Sequence, residues 1–362
     1  MSSFLDLFSK KTNRAVGIDI GSSSIKVVEL HKRGDVVELL TYGLLETGPY
    51  GGREIGRVPV LTPEKTAEAL SDVLREARVG TIDAGIAIPF RSSFMKLIDL
   101  PQVTEKELKK MVPLEARKYV PVPIDEVALD WALVPQVTPM LPQTDSIERQ
   151  MVHVFLIAIH NDILSRFQKI SQDAGLKNHF FEVEAYSTMR SVLSHSNEAV
   201  LMCDIGATST KIYITYKGFV LVTHVINAGS QDMTLDLSKS FGITIAEAEI
   251  MKREKGLSGG VGSDTSKVFD MTLQKIASEI NRAKENFETK FKTTITKVTL
   301  VGGGSQLKDL PAFIEGAVAI ETEKGNAFGG VETPASLSET IAEIGPEFAV
   351  AMGCALRAIS NE

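Results

Sequence analysis

Asp19 closes an apolar stretch, VGIDIGSSSIKV over residues 16–27, and is followed by Gly21, Ser22, Ser23 and Lys26. A carboxylate at a strand end projects into whatever cleft the sheet borders. Glycine next to it permits a tight turn and close approach of the backbone to a ligand. Backbone N–H groups and small hydroxyls in such a turn cradle phosphate oxygens, and a lysine adds a point charge for the same anion. The carboxylate suits Mg2+, held largely through water. One such turn is weak, because hairpins of this kind are common without a ligand. Here the pattern returns as LMCDIGATSTKI over residues 201–212. Asp204 falls on Asp19, Gly206 on Gly21, Ala207 and Thr208 on Ser22 and Ser23, and Lys211 on Lys26. Two such loops facing each other make a polyphosphate clamp. A third feature is Gly302-Gly303-Gly304-Ser305 after an apolar stretch. Glycines there let a flat base lie on the backbone, and a following helix N-terminus favours anions. The turn does not have the GxGxxG form, and no GxxxxGK[ST] loop occurs in the chain.

The elements that must position these residues are legible in outline. Each copy of the aspartate motif reads as strand, turn, strand, so the chain is expected to hold two similar α/β halves. In the first half, apolar spacing predicts a helix over 63–78 and a strand over 84–88. Residues 92–160 read as a module of their own. It has a strand over 94–98, a helix over 104–119 opened by a Thr104/Glu107 capping box, and strands over 127–134 and 151–159. Helices near 161–174 and 184–195 lead to the second hairpin. The second half reads as strands over 199–216 and 219–226, then helix over most of 230–290, interrupted at the Gly/Ser segment 256–263. A strand over 297–301, a helix from about Leu307 and a last helix over 346–359 follow.

The chain has 362 residues, 43% hydrophobic and 23% charged, with a net charge of −7. That describes an ordinary globular chain of about two domains. It excludes a disordered chain, and an acidic balance gives no global field toward nucleic acid or anionic lipid. Two distant cysteines, Cys203 and Cys354, form no disulfide framework and read as buried thiols. The six histidines have no metal-ligand spacing. The longest strongly apolar run, Val154 to Ile159, is too short to span a bilayer, and no signal peptide is visible. A cytoplasmic protein is expected. Phe4, Leu5, Leu7 and Phe8 with Lys10 and Lys11 form a small amphipathic start, read as a frayed tail or a docking patch. Met95, Met111 and Met151 read as core residues, with an adaptable groove as the other option. Trp131 reads as core.

The order of strand, DIG, hydroxyls and lysine, a second DIG loop and a late GGG turn resembles the actin, sugar-kinase and DnaK ATPase superfamily. Within it the chain is most similar to the PilM family of type IV pilus assembly, in the branch that also holds the division protein FtsA. The residues that carry this are VGIDIGSSSIKVVEL after a short FxxxFSKK-like start, EKELKKMVPLEARKYVPVPIDEVALDW, AGLKNHFFEVEAYSTMR, INAGSQDMT and ITIAEAEIMKRE. The resemblance covers nearly the whole chain.

It implies an actin-like fold: two duplicated sheet-plus-helix halves around a nucleotide cleft. A tail would occupy 1–13. The first subdomain would take 14–91, 166–198 and 345–362, with an inserted α+β subdomain over 92–165. The second would take 199–238 and 295–344, with a helical subdomain over 239–294. It implies ATP and Mg2+ as cofactors. Asp19, Gly21, Ser22, Ser23 and Lys26 would form the first phosphate loop, and Asp204, Gly206, Ala207 and Thr208 the second. Gly302, Gly303 and Gly304 would take the adenosine, with Glu249 and Lys252 at the ribose and base. Asp19 and Asp204 would hold Mg2+ through water. Glu184 matches the place where related filament proteins orient the attacking water; alternatively, it caps its helix start. Ala207-Thr208-Ser209 departs from the DIGGGT form, so slow or absent hydrolysis is expected.

The implied partner is the cytoplasmic N-terminal peptide of a PilN-like inner-membrane protein, with a homo-oligomer or ring also possible and membrane contact indirect. An FtsA-like division filament is the alternative, although the closing helix is not followed by that family's membrane anchor. A small-molecule kinase would need an acceptor base, for which only Asp83 and Asp99 are unassigned. A chaperone would need a further substrate domain.

Overall fold

The computed structural model describes residues 12–134, 151–193, 197–257 and 264–360. The first half opens with β1 (Arg14–Ile20), β2 (Ser24–Arg33) and β3 (Val36–Glu46). Helix α1 (Pro63–Glu76) begins where the Thr62 hydroxyl accepts the Lys65 N–H and Pro63 supplies a preset φ. It buries Ala67, Leu70 and Val73 against the sheet. β4 (Asp83–Ile88) follows. The module after it holds β5 (Ser93–Pro101), α2 (Glu105–Ala116), β6 (Val127–Val134) and β7 (Met151–His160). The expected capping box is present, with both reciprocal Thr104 and Glu107 bonds formed. Then come α3 (Asn161–Asp173), β8 (Asn178–Val183) and α4 (Glu184–Val192).

The second half repeats the plan with β9 (Ala199–Ile205), β10 (Thr210–Tyr216), β11 (Phe219–Ile226), α5 (Ser230–Phe241), α6 (Ile245–Lys255) and α7 (Asp264–Phe291). It ends with β12 (Ile295–Val301), α8 (Leu310–Val318), β13 (Thr322–Lys324), α9 (Ser338–Ile344) and α10 (Ala349–Ile359).

The duplication seen in the sequence is a duplication of topology. One sheet runs β3-β2-β1-β4-β8 and the other β11-β10-β9-β12-β13. In both, the first three strands are antiparallel and the last two join in parallel. The inserted module has its own sheet, β5-β7-β6, and its own core around Leu108, Val112 and Leu156.

The structure differs from the sequence expectations at several places. Strands β3, β8 and β13 were not expected. β3 is an edge strand with mixed exposure along its length, so it lacks a clean alternation. The helix expected near Leu307 starts at Leu310, because the Gly303–Gln306 segment forms a 3-10 turn and Asp309 is left-handed. The last helix likewise begins at Ala349, after a 3-10 turn over Gly345–Phe348. Met151 does not pack in a core: at a strand start, it is 52% exposed. Met95 does pack between the two main cores, and Trp131 is half-buried against the module's core. Cys203 and Cys354 are buried and unbridged, and burial pushes the Cys354 thiol up to about 12. The amphipathic start over 4–11 and most of the Gly/Ser segment lie outside the described residues.

Candidate functional site

The two aspartate loops are built alike. The Gly21 N–H donates to the Ser24 carbonyl at 3.0 Å, and the Gly206 N–H to the Ser209 carbonyl at 3.0 Å. A Cβ on Gly21 would sit 2.9 Å from the Ser24 oxygen, and one on Gly206 3.0 Å from the Ser209 oxygen. Glycine is therefore required by the turn itself. Carbonyls of both turns are tied from behind. Thr47 donates its N–H to the Ser23 carbonyl at 2.8 Å and its hydroxyl to the Ser22 carbonyl at 3.0 Å. At the second loop the Ser230 and Gln231 N–H groups, opening α5, donate to the Gly206 and Ala207 carbonyls at 2.9 Å each. Among the described residues the N–H groups of Ser22, Ser23, Ala207 and Thr208 have no hydrogen-bond partner. Four spent acceptors beside four unspent donors make an anion cradle.

The glycine turn locks under the second loop. Gly302 has φ +80 and ψ 166, a region only glycine occupies comfortably, and a Cβ there would lie 2.7 Å from the Ile205 carbonyl. Gly304 also lies close, its Cβ position 2.9 Å from that carbonyl. Both loops and the first part of the glycine turn line one cavity of about 450 Å3. It holds Asp19, Gly21, Ser22, Ser23, Lys26, Glu184, Asp204, Gly206, Ala207, Thr208, Gly302 and Gly303. A recess of about 240 Å3 adjoins it, sharing Ser23, Ala207, Ser230 and Gly303, and adds Gly304, Glu249 and Lys252. Every expected site residue therefore meets in one continuous cleft between the halves.

Charge is distributed unequally within it. Lys211 Nζ lies 3.0 Å from Asp204 Oδ2 and 2.9 Å from Glu184 Oε2. Burial opposes the ammonium charge, but Asp204 and Glu184 more than offset it and hold Lys211 above its ordinary range. The other Glu184 oxygen accepts the Phe90 N–H at 2.7 Å, with the buried Tyr213 hydroxyl 3.5 Å away. Glu184 opens α4 and has both oxygens engaged. Lys26 contacts the Ser24 hydroxyl at 2.8 Å and Glu347 at 3.8 Å. Among the described residues the Asp19 carboxylate has neither a hydrogen bond nor an ion pair. Burial raises its pKa, with Lys26 and Lys211 acting in the opposite direction.

In the recess, Glu249 Oε2 accepts from Lys252 and from the Thr234 hydroxyl, each at 2.7 Å, and Oε1 accepts from Arg253 at 2.8 Å. Burial favours the neutral acid, yet these partners hold the Glu249 carboxyl down at about 2. Lys252, in turn, is lowered by burial.

The donor set fits a polyphosphate: free amides, hydroxyls and Lys26 for its oxygens, and an open carboxylate, Asp19, for a hard cation that arrives with it. Among the described residues no group of three His, Cys, Asp or Glu side chains is placed to hold a metal alone. Sequence reasoning did not assign Lys211, Glu347, Thr47 or Gln231 to the site. Lys211 was visible as the repeat of Lys26, and Gln231 lies within INAGSQDMT without a role assigned to it; Thr47 and Glu347 carry no motif.

Comparison with known proteins agrees with this architecture. The family model described as type IV pilus assembly protein PilM matches residues 17–359. The chain is similar to a solved PilM-PilN type IV pilus biogenesis complex, with 27% identity and a TM-score of 0.80 over 97% of this chain and 100% of that one. It shares its fold with MreB5 of Spiroplasma citri bound to ADP, at 13% identity and a TM-score of 0.55, covering 95% of each chain. Cell division protein FtsA of Neisseria meningitidis serogroup B (strain ATCC BAA-335 / MC58) is 24% identical over 285 residues, 73% of this chain and 68% of that protein. No described helix is long and apolar enough to cross a membrane. With an actin-like fold, two aspartate loops of duplicated geometry and a family match from the first strand to the last helix, the chain belongs to the PilM family of type IV pilus assembly proteins.

Proposed function

We propose that the chain is an ATP-binding scaffold that recruits the cytoplasmic N-terminal peptide of a PilN-like inner-membrane protein to the pilus machine. The observation that carries the nucleotide half of this reading is the convergence of two unspent amide cradles on one cleft. Ser22, Ser23, Ala207 and Thr208 would take phosphate oxygens, with Lys26 as their fixed charge. Gly302, Gly303 and Gly304 would receive the adenosine, and the Glu249–Lys252 pair would border its ribose and base. Asp19 offers the open carboxylate for Mg2+, which supplies charge neutralisation of the phosphates when bound. The two five-stranded sheets then serve as the two actin-like subdomains, 239–294 as the helical one and 92–165 as the inserted one.

Fast hydrolysis does not suit this site. Water activation needs a carboxylate oxygen in reach of the water, and Glu184 already accepts from Lys211 on one oxygen and from the Phe90 N–H on the other, which competes with that role. ATP here acts as a structural or switching ligand. The partner half rests on family membership and on the likeness to the solved PilM-PilN complex. On this reading the protein works at the inner membrane through its partner.

The test is a titration of the full chain with a labelled N-terminal cytoplasmic peptide of the host's PilN-like protein, with and without MgATP. Saturable binding is expected, tighter in one nucleotide state, because a ligand biases a two-state element only through differential affinity. No binding in either condition, with the peptide soluble, would overturn the recruiting role.

A further inference from the structure

The two loops repeat each other in sequence, and the repeat predicts equal roles for their lysines. In each hairpin the lysine stands directly opposite the aspartate: Asp19 pairs with Lys26, and Asp204 with Lys211. Their side chains nonetheless do different things. Among the described residues Lys26 takes only the neutral Ser24 hydroxyl as a close partner, with Glu347 at 3.8 Å, and it borders the cavity. Lys211 is held by two carboxylates at once, Asp204 and Glu184, in a largely buried position. The difference originates outside the repeat, because Glu184 comes from the start of α4.

We propose that the loops divide their labour. Lys211 is a permanent internal cation for Asp204 and Glu184. A divalent ion arriving with a nucleotide is therefore held from the Asp19 side alone, and Lys211 is a positioning residue that keeps Glu184 fixed.

The physical reason is competition for charge. Lys211 already holds Asp204 Oδ2 in a charge-assisted bond inside the protein, so a metal drawing on Asp204 must share that carboxylate with an ammonium 3.0 Å away. Mg2+ gains little by forcing this, since it keeps most of its water and needs only one or two carboxylates plus phosphate oxygens. Asp19 meets that need without displacing anything. The same arrangement disfavours Glu184 as a proton acceptor, because its Oε2 faces an ammonium and its Oε1 accepts the Phe90 N–H.

This inference rests on nucleotide binding in the cleft. The experiment measures the dissociation constant of a fluorescent ATP analogue for the full chain, in Mg2+ and in EDTA. The ratio of the two constants is the gain from metal. Asp19→Asn is expected to cut that gain at least tenfold, toward one. Asp204→Asn is expected to change it less than about threefold. Lys211→Met releases Asp204, so binding in EDTA weakens while the metal gain rises several-fold. Should Lys211→Met fold poorly, as judged by thermal melting, the double variant Lys211→Met/Glu184→Gln removes one orphaned carboxylate and carries the same expectation. Equal losses of metal gain in Asp19→Asn and Asp204→Asn would overturn the division of labour while leaving nucleotide binding intact. So would an unchanged gain in Lys211→Met and in the double variant. Failure of the wild-type chain to bind nucleotide in either condition would overturn both the inference and the reading beneath it.

Discussion

The Val58 N–H donates to Oε1 of Gln231 at 2.6 Å, joining the segment that precedes α1 in the first half to α5 in the second. Gln231 also donates its own N–H to the Ala207 carbonyl. One residue thus links the second aspartate loop to the opposite wall of the cleft. Nearby, Arg253 reaches Glu46 at 3.3 Å, another contact between the halves. A bound ligand would favour the state in which these contacts are made.

Removing the Val58 contact should loosen closure without touching the ligand. A neutral hydrogen bond contributes about 1 kcal/mol net. Gln231→Ala is therefore expected to weaken nucleotide binding about fivefold, with little effect on the melting temperature. The Ala207 contact is a backbone bond and survives the substitution. Unchanged affinity would show that this contact is not coupled to the site.

Gly302 tests the adenosine role proposed for the glycine turn. Its backbone lies where a Cβ-bearing residue is strained, and a methyl group would press on the Ile205 carbonyl. Strain of this kind costs about 1–3 kcal/mol. Gly302→Ala is expected to reduce nucleotide affinity at least tenfold and to lower stability by that amount. Isothermal titration and urea melts read the two effects separately. Full affinity in a folded variant would remove the glycine turn from the site.

How far the sequence reached is clear from particular residues. The paired loops were legible because Asp, Gly, hydroxyl and Lys recur in the same order, and repetition is visible in one dimension. The capping box at Thr104 and the buried faces of α1 were legible because they depend on local spacing. What Lys211 does was not legible. Lys26 and Lys211 are the same residue at the same register, and only the folded chain brings Glu184 to one of them. Gln231 and Glu347 were missed for the same reason: their partners lie on distant segments. β3 was missed because an edge strand of mixed exposure has no strict alternation.

A buried acid outside the cleft gives the molecule a pH-dependent tie. Glu182 on β8 is 4% exposed and receives Arg190 from α4 at 2.6 Å and Arg357 from α10 at 2.8 Å. Burial by itself would raise its pKa, but the two guanidinium groups and the Ser187 hydroxyl overcome this and lower it from 4.5 to about 2. A carboxyl depressed in the folded state adds stability that is complete above its unfolded value and is lost as pH falls toward its folded value. The shift corresponds to about 3 kcal/mol at neutral pH. Glu182→Gln should therefore be destabilised near pH 7, and its gap to wild type should narrow between about pH 5 and pH 3. Urea unfolding across that range measures it. A gap independent of pH would mean that the guanidinium groups do not hold the ionised form.

The closing helix supplies the sharpest contrast between glycines. α10 packs onto β1 and α4 so closely that a Cβ on Gly353 would collide with the Ser187 backbone, and one on Gly17 with the backbone of Ala351 and Ala355. Backbone cannot yield as a side-chain tip can, so overpacking here must push elements apart. Gly353→Ala is expected to cost about 3 kcal/mol or more, and Gly17→Ala a similar amount. Gly316 lies within α8, exposed, with nothing within 4 Å of its Cβ position. There alanine only gains helix propensity, so Gly316→Ala should stabilise by about 0.5–1 kcal/mol. The three variants make the same chemical change at glycines, and thermal melts of all three separate close packing from conformational freedom. If Gly353→Ala melted with wild type, the close seat of α10 on α4 would be wrong. The rigid support that this helix gives to β1, and through it to Asp19, would then need another source.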